Sequence, residues 1–266
     1  MNWCRFLAGG LARVALPTLM SFAPVAWAQV VVVGAEDDAA PWSYADGTGY
    51  VNDVVRAAFE SVGWTAQLRV MPYARCKAMA LAGTLAACFS TSKTADLDGK
   101  LVFPRQAVFD ARNLLLAKAD SPLSGCDSRR WPGRPRIGTV RGYEYTPVVD
   151  ELFNSGRAQG DEADSEVSNL RKINAGHVDA ALVTLDAVKR IEFLAALAKV
   201  RNEFKTVCDF GSQPAYVAFS PLHPQGRSAA TAFEQGVAKL QRNGTIEAMQ
   251  QRWRTRLLDS VHAKKH

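Results

Sequence analysis

Polar side chains follow several of the predicted strands, where they could bind a small molecule. Ser90, Thr91 and Ser92 come directly after a predicted strand at Ala86–Phe89. Their hydroxyls and backbone N–H groups are donors and acceptors suited to a polar ligand. The same cluster is also typical of an ordinary turn. We treat these three residues as candidate binding residues.

A second candidate group lies between a predicted strand at Arg136–Thr139 and a helix that starts at about Thr146. Free N–H groups at the start of a helix favour a negatively charged ligand group. The pattern therefore predicts that this turn contacts the ligand. Its five residues are Arg141, Gly142, Tyr143, Glu144 and Tyr145.

Three carboxylates in these loops could instead perform acid–base chemistry: Glu36, Glu144 and Asp186. The sequence contains no recognisable set of nucleophile, base and orienting group, and its four histidines show no metal-ligand spacing. Binding is therefore favoured over catalysis. We predict no catalytic residue, no cofactor and no metal site.

The first half of the chain alternates strands and helices. Val30–Gly34 is an apolar run typical of a strand buried on both faces. Tyr50–Val62 has apolar residues at helical spacing before Gly63. A strand at Gln67–Val70, a helix at Arg75–Ala82 and the strand before Ser90 follow. This alternation predicts a parallel sheet with helices against it.

The second half repeats the pattern after a segment rich in Ser, Gly, Pro and Arg, Ser121–Pro135, which is typical of a connection. A helix ending at Gly176, a strand at Ala180–Val183 and a helix at Asp186–Leu197 are predicted next. A strand at Ala215–Phe219 and two helices, separated by Asn243 and Gly244, complete the chain. Such repetition predicts two α/β units with a crevice between them.

Residues 1–28 resemble a cleaved signal peptide. Arg5 and Arg13 precede an apolar stretch, and Ala26-Trp27-Ala28 supplies the small residues of a cleavage site, so we place the cut before Gln29. The alternative is a membrane anchor, but prolines interrupt the stretch and it is shorter than the ~20 apolar residues that span a bilayer. We expect a soluble protein in the periplasm.

Four cysteines remain after cleavage: Cys76, Cys88, Cys126 and Cys208. In an oxidising compartment they could form two disulfides. Of the three pairings we favour Cys76–Cys88 with Cys126–Cys208. Buried free thiols are the main alternative, and a metal site is a weaker one because no CxxC motif is present.

The bulk composition fits a globular protein, with 48% hydrophobic and 22% charged residues. A net charge of +6 spread along the whole chain is too small to indicate a nucleic-acid partner. We therefore expect no nucleic acid as a partner.

Five segments resemble, in order, landmarks of the periplasmic solute-binding protein family 3, which serves polar amino-acid ABC transporters. They are Ala40–Val55, Pro72–Gly83, Ile137–Tyr145, Ala175–Val183 and Arg242–Trp253. The last segment, RNGTIEAMQQRW, is the most specific. The resemblance covers nearly all of the chain after the signal peptide.

The resemblance implies a two-lobed α/β fold of the type II periplasmic binding protein kind, in which each lobe is a mostly parallel sheet flanked by helices. The first lobe would comprise residues 29–117 and 213–266, and residues 118–212 would form an inserted second lobe. Hinge strands near Leu114–Lys118 and Ala215–Phe219 would let the lobes close on a ligand.

The resemblance also implies ligand contacts in the first lobe. Tyr73 stands where the family stacks an aromatic ring on the ligand, and Trp42 lies near the first-strand loop. Core packing is an alternative interpretation for both residues, and for Trp42 it is as well supported as ligand contact. Glu36 matches a family position that reaches a cationic ligand group, although a solvated loop carboxylate is nearly as good an interpretation.

Two positions depart from the family pattern. Leu97 occupies the place of the arginine that binds the ligand carboxylate, and Thr184 replaces the aspartate that holds its amino group, with Asp186 two residues on. A buried ligand charge without a partner is costly. We expect Arg75 to replace the missing arginine, although it could also be a surface residue.

The function implied is capture of a small polar or anionic, amino-acid-like molecule by a monomeric protein that serves an ABC permease. A sensory protein that docks on a membrane receptor is one alternative. An enzyme of dehydratase type, built on the same fold, is another.

Overall fold

The computed structural model describes residues 29–201 and 203–263, so the signal peptide predicted for residues 1–28 lies outside the described residues. Within that part, the strands are β1 Gln29–Glu36, β2 Asp38–Ala39, β3 Ser43–Tyr44, β4 Trp64–Met71, β5 Ala87–Ser92, β6 Phe109–Lys118, β7 Arg136–Val140, β8 Gln159–Ala163, β9 Ala180–Leu185 and β10 Phe204–Phe219. The α-helices are α1 Tyr50–Glu60, α2 Tyr73–Leu81, α3 Pro147–Asn154, α4 Glu166–Ala175, α5 Ile191–Ala198, α6 Gly226–Arg242 and α7 Thr245–Ala263.

Eight of these strands form one sheet in the order β4-β1-β5-β10-β6-β9-β7-β8. In one half, β1 pairs in parallel with β4 and β5. In the other half, β7 pairs in parallel with β8 and β9. We call the half that contains β4, β1 and β5 the first lobe, and the half that contains β9, β7 and β8 the second lobe. The predicted two-lobed α/β fold is confirmed.

Two long antiparallel strands, β6 and β10, join the lobes. The end of β10, Ala215–Phe219, pairs with β5, whereas its earlier residues pair with β6. From Arg112 onward, β6 pairs with β9 on its other edge. Both segments that we expected to act as hinges lie in these strands. The residue bounds of the lobes and the hinge role stay predictions.

The first lobe is built around the most regular helix of the chain. Val51, Val54, Val55, Ala58 and Phe59 form the buried face of α1. Their spacing matches one helix face, as the sequence indicated. They pack in a cluster that also contains residues of α6 and α7.

Some boundaries differ from the sequence prediction. The start of β1 is covered on one face only, since Val30 is 43% exposed and Val32 37%. Helix α5 begins at Ile191 rather than at Asp186, because the Asp186 carboxylate accepts hydrogen bonds from the backbone N–H groups of Val188 and Lys189 and so forms a turn. Strand β8 was not predicted, because its sequence, QGDEA, is polar and lies at the edge of the sheet.

The two disulfides are the favoured ones. Cys76–Cys88 joins α2 to β5 in the first lobe. Cys126–Cys208 joins the segment after β6 to β10, and it closes a span of 82 residues. Each bridge therefore ties a helix or a connecting segment to the central sheet.

We expect the longer bridge to contribute most. Replacing both Cys126 and Cys208 with serine should cost about 4.5 kcal/mol, because a closed loop of that length removes much entropy from the unfolded chain. Thermal unfolding should then show a melting temperature lower by roughly 9–18 °C. A shift within about 2 °C of the native value would contradict this expectation.

Candidate functional site

Side chains from the ends of several strands line a narrow crevice between the lobes. Its cavity has a volume of about 20 Å³, which is roughly the room for one water molecule. The lobes therefore touch closely, and a larger molecule can enter only if they move apart. The crevice is lined by Trp42, Ser90, Ser92, Phe109, Ala111, Tyr143, Glu144, Thr184, Gln213 and Ala215.

Glu144, in the turn between β7 and α3 of the second lobe, is bound by the first lobe. Its Oε1 lies 2.6 Å from Lys77 Nζ, and its Oε2 accepts hydrogen bonds from the Tyr73 hydroxyl at 2.7 Å and from the Ser92 backbone N–H at 3.2 Å. The Glu144 side chain is 8% exposed. Gln213 of β10 donates to the Glu144 backbone carbonyl at 2.6 Å. Glu144 therefore bridges the two lobes.

Glu36, which ends β1, is buried and makes a second bridge. The Tyr143 hydroxyl donates to its Oε1 at 2.7 Å, and its buried Oε2 has no hydrogen-bond partner among the residues that the structure describes. Burial raises the pKa of Glu36 from 4.5 to about 8, against the smaller lowering effects of the Tyr143 hydrogen bond and of the nearby Lys189 charge. At neutral pH this carboxyl group is therefore largely protonated. The Tyr143 ring packs edge-on against Tyr73, with 5.4 Å between the ring centroids.

Trp42 forms a third contact between the lobes. Its Nε1 donates to Asp186 Oδ2 at 3.0 Å, and its ring stacks on Phe109 with centroids 4.2 Å apart. Lys189 Nζ lies 3.8 Å from the Trp42 ring centroid, a cation–π geometry. Burial raises the pKa of Asp186. Trp42 is part of the core and also lines the crevice, and its contact with a ligand stays a prediction.

A buried ion pair lies behind this contact. Lys189 is fully buried, and its Nζ pairs with Glu166 Oε2. The other oxygen of Glu166 accepts hydrogen bonds from the backbone N–H and the hydroxyl of Thr184, both at 2.6 Å. Thr184, which lies in β9 where the resemblance implies an aspartate, is thereby connected to a carboxylate of helix α4. The charges of Glu166 and Lys189 are therefore paired within the protein.

The three hydroxyl residues are the last residues of β5 and do not follow it as predicted, because the strand continues to Ser92 in its pairing with β10. Thr91 is fully buried, and its hydroxyl donates to the Cys88 carbonyl at 3.4 Å. Ser90 and Ser92 line the cavity, and Ser90 has a positive φ of 31°, which is uncommon for a serine. The backbone N–H of Ser92 faces Glu144, as described above.

Other residues of the predicted site lie outside the crevice. Arg141 is exposed and pairs with Glu162 and Asp164 at 3.3 and 3.4 Å. Tyr145 is buried in the second lobe, where its hydroxyl accepts a hydrogen bond from the Val140 N–H. Of the five-residue turn, the structure thus brings Gly142, Tyr143 and Glu144 to the first lobe.

The cation of α2 that lies next to Glu144 is Lys77 and not Arg75, which we had expected at the crevice. Arg75 is exposed on α2, whereas Lys77, two residues later, reaches Glu144. Leu97 is buried in the cluster that contains Tyr73 and Cys76. Sequence reasoning missed Lys77 together with Glu166, Lys189 and Gln213.

Gly142 allows the lobes to approach. Its φ is +80°, and a Cβ atom at this position would lie 3.0 Å from the Cβ of Ala74 in α2. The carbonyl oxygen of Gly142 also accepts a hydrogen bond from Lys77 at 2.6 Å. The backbone of the second lobe therefore packs directly on a helix of the first.

We expect Gly142→Ala to oppose closure. A matched control is Gly156→Ala, because Gly156 has a similar φ of +71° but, within the described part of the chain, no heavy atom within 4 Å of the added Cβ. Both variants should lose about 1 kcal/mol of stability through backbone strain. Small-angle X-ray scattering should show a larger radius of gyration for Gly142→Ala alone. Equal radii for the two variants would contradict this role of Gly142.

Similar proteins share this architecture. A histidine kinase sensor domain with similarity to periplasmic binding proteins superposes with a TM-score of 0.73 at 18% identity, covering 85% of this chain and 96% of that one. The substrate-binding protein of an amino-acid ABC transporter gives 0.68 at 17% identity, covering 84% and 98%. An ancestral amino-acid-binding protein, a precursor of cyclohexadienyl dehydratase, gives 0.66 at 15% identity, covering 84% and 94%. A search of curated proteins finds no match.

Among the helices of residues 29–201 and 203–263, none has the length and apolar character needed to cross a bilayer.

The family can be assigned from the sequence match. The family model described as bacterial extracellular solute-binding proteins, family 3, matches residues 31–256, which is most of the chain. The chain therefore belongs to the bacterial extracellular solute-binding proteins, family 3.

Proposed function

We propose that this protein captures a small polar, amino-acid-like solute between its two lobes in the periplasm and delivers it to an ABC permease. One observation carries the proposal: charged and aromatic side chains from both lobes meet at one crevice. Glu36 and Glu144 each bridge the lobes through hydrogen bonds. Groups that bond across a closed crevice become free to bind a solute when it opens.

The proposed binding residues are those that meet at the crevice. They combine apolar faces, hydroxyl and N–H donors, and charges of both signs, a set that can orient a zwitterion or a small acid. The unpartnered Oε2 of Glu36 offers one further acceptor or donor for a solute. The set is Glu36, Trp42, Tyr73, Lys77, Ser90, Ser92, Gly142, Tyr143, Thr184, Asp186 and Gln213, and Glu144 lines the same crevice bonded to three of them.

The hinge follows from the strand pairing. We propose that β6 and β10 bend where β10 leaves β6 and joins β5, near Ser212 and Ala215. The pairing of β10 with β6 is irregular between Asp209 and Ser212, as expected where a strand bends. Closed and open forms would then differ by rotation of the lobes about these strands.

A calorimetric titration tests the proposal. The chain from Gln29 onward should bind at least one member of a panel of amino acids, organic acids and amines with 1:1 stoichiometry. Tyr143→Phe should weaken that binding roughly threefold to tenfold, because it loses a hydrogen bond in the crevice. Tyr44→Phe is the control, since Tyr44 stacks on Trp253 outside the crevice lining. Absence of binding across the panel would count against the proposal.

A sensory role is the second candidate, since the superposition on a histidine kinase sensor domain gives a TM-score of 0.73. In that case the closed form would dock on a membrane receptor instead of a permease. Gene neighbourhood separates the two roles: an adjacent permease and ATPase favour transport, whereas an adjacent kinase favours sensing. Catalysis has the weakest support, because Glu36, Glu144 and Asp186 are each held by a hydrogen bond from the opposite lobe.

A further inference from the structure

Three donors of the first lobe converge on a single carboxylate. The ammonium of Lys77, the hydroxyl of Tyr73 and the backbone N–H of Ser92 lie 2.6, 2.7 and 3.2 Å from the two oxygens of Glu144. They come from two elements, α2 and β5, which the Cys76–Cys88 disulfide ties together. The three donors are therefore held in fixed relative positions within the first lobe.

The carboxylate that they bind comes from the other lobe. Within the described residues, the hydrogen-bond and ion-pair partners of Lys77 are Gly142 O and Glu144 Oε1, both in the second lobe. When the lobes separate, Lys77 loses both. An ammonium group, a hydroxyl and an N–H group then face the open crevice without an acceptor, and charged groups in such a position favour a new partner.

From this geometry we propose that Lys77, Tyr73 and the Ser92 N–H form a carboxylate-binding site, and that Glu144 is an internal carboxylate that occupies it until a carboxylate-bearing solute takes its place. The inference rests on the proposed function and names its solute class. It also explains how a carboxylate could be bound although Leu97 stands where the resemblance implies an arginine. Leu97 is apolar and buried in the hydrophobic cluster that contains Tyr73, so it cannot form an ion pair with a solute carboxylate.

Exchange requires the lobes to open. The closed crevice has room for about 20 Å³, so a solute and the Glu144 side chain cannot share it. Glu144 therefore competes with the solute carboxylate, and closure on a solute must move this side chain away from Lys77. Because the solute must displace Glu144, its apparent affinity is lower than its affinity for the free donors. Capture therefore needs a correspondingly higher solute concentration.

Chemical rescue with acetate tests the site directly, whichever solute the protein captures. Glu144→Ala removes a CH2–COO− unit, which has the heavy atoms of acetate. We expect sodium acetate, compared with sodium chloride at the same ionic strength, to raise the melting temperature of this variant in a saturable manner. An apparent Kd on the order of 1 mM is within reach of a ligand of about four heavy atoms. The wild type should respond equally to both salts.

Two double variants identify the donors. Glu144→Ala with Lys77→Met should lose the acetate response, whereas Glu144→Ala with Arg75→Gln should keep it, because Arg75 is an exposed cation on the same helix. If Glu144→Ala does not fold in chloride, recovery of its circular dichroism in acetate is the readout. Equal responses to acetate and chloride, or a response that survives Lys77→Met, would overturn the proposal.

A second arm uses any solute that calorimetry identifies. Carboxylate-bearing solutes should bind at least about tenfold tighter than their primary amides, and Glu144→Gln should strengthen their binding about tenfold by removing the competitor. Weaker binding by Glu144→Gln would show that Glu144 contacts the solute itself and would overturn the competitor role. If acetate rescues Glu144→Ala while no solute of the panel binds the wild type, the carboxylate site stands and the proposed function fails.

Discussion

Replacing Lys189 with methionine should destabilise the protein by about 3–5 kcal/mol, because it leaves the carboxylate of Glu166 buried without its cation. Lys189 is fully buried and Glu166 is 5% exposed, so water cannot replace the lost partner. The substitution also removes the cation from the face of the Trp42 ring. Urea denaturation with an unchanged m-value would measure the loss directly.

The double variant distinguishes a lost pair from a general packing defect. Glu166→Gln in the Lys189→Met background should recover most of the stability, because the amide keeps an acceptor for Thr184 and carries no charge. The matched control is Lys172→Met, whose ion pair with Asp161 is 27% and 32% exposed and should cost under about 1 kcal/mol. Similar losses for Lys189→Met and Lys172→Met would contradict this account of the buried pair.

Stability should fall as the pH rises from about 4.5 to 8, and Glu36 should be a major cause. The folded protein holds a proton on Glu36 up to a pKa of about 8, whereas the unfolded chain releases it near the usual value of 4.5. The folded state therefore binds more protons across this range, and linkage makes its stability decrease with pH. The raised pKa of Asp186 acts in the same direction.

Glu36→Gln should remove this component. The amide resembles the protonated acid, so the variant should match the wild type near pH 4.5 and exceed its stability by roughly 3–5 kcal/mol at pH 8 and above. Glu162→Gln is the control, since Glu162 is an exposed carboxylate in a surface ion pair with Arg141. Denaturant titrations at several pH values provide the measurement. A constant difference between Glu36→Gln and wild type over this range would contradict a neutral, buried Glu36.

The regular elements could be predicted from the sequence because their patterns are local. The apolar spacing of Val51 to Phe59 defines α1, and Gly176 ends α4 in a left-handed conformation, as predicted for a helix ending there. Strand β8 was missed because an exposed edge strand carries no apolar alternation. The late start of α5 depends on the Asp186 side chain, which an apolar pattern does not report.

The site was harder to predict because its contacts join distant parts of the chain. Tyr73 and Glu144 are 71 residues apart, and Trp42 and Asp186 are 144 apart. One signal was nevertheless available for Lys77. Helix α2 starts at Tyr73, and residues four apart share a helix face, so Lys77 accompanies Tyr73 while Arg75 points elsewhere. Starting the helix at Arg75 removed that signal, so sequence reasoning selected Arg75, which is exposed, and missed Lys77, which contacts Glu144.

The charge pattern of the second lobe follows the same logic. Thr184 replaces an acid in the family pattern, and a carboxylate is still present because Glu166, at the first turn of α4, reaches Thr184 through two hydrogen bonds. Lys189 then neutralises that carboxylate. A single position in the sequence therefore does not reveal the charge of the crevice, which depends on three residues from different elements.

A crystal structure of the chain from Gln29 onward, with a solute identified by calorimetry, would show which groups hold the solute. We expect the solute to lie between the lobes, with a carboxylate within hydrogen-bond distance of Lys77 Nζ, the Tyr73 hydroxyl and the Ser92 N–H, and with the Glu144 carboxylate moved away from them. A solute bound outside the crevice, with Glu144 still paired to Lys77, would contradict it.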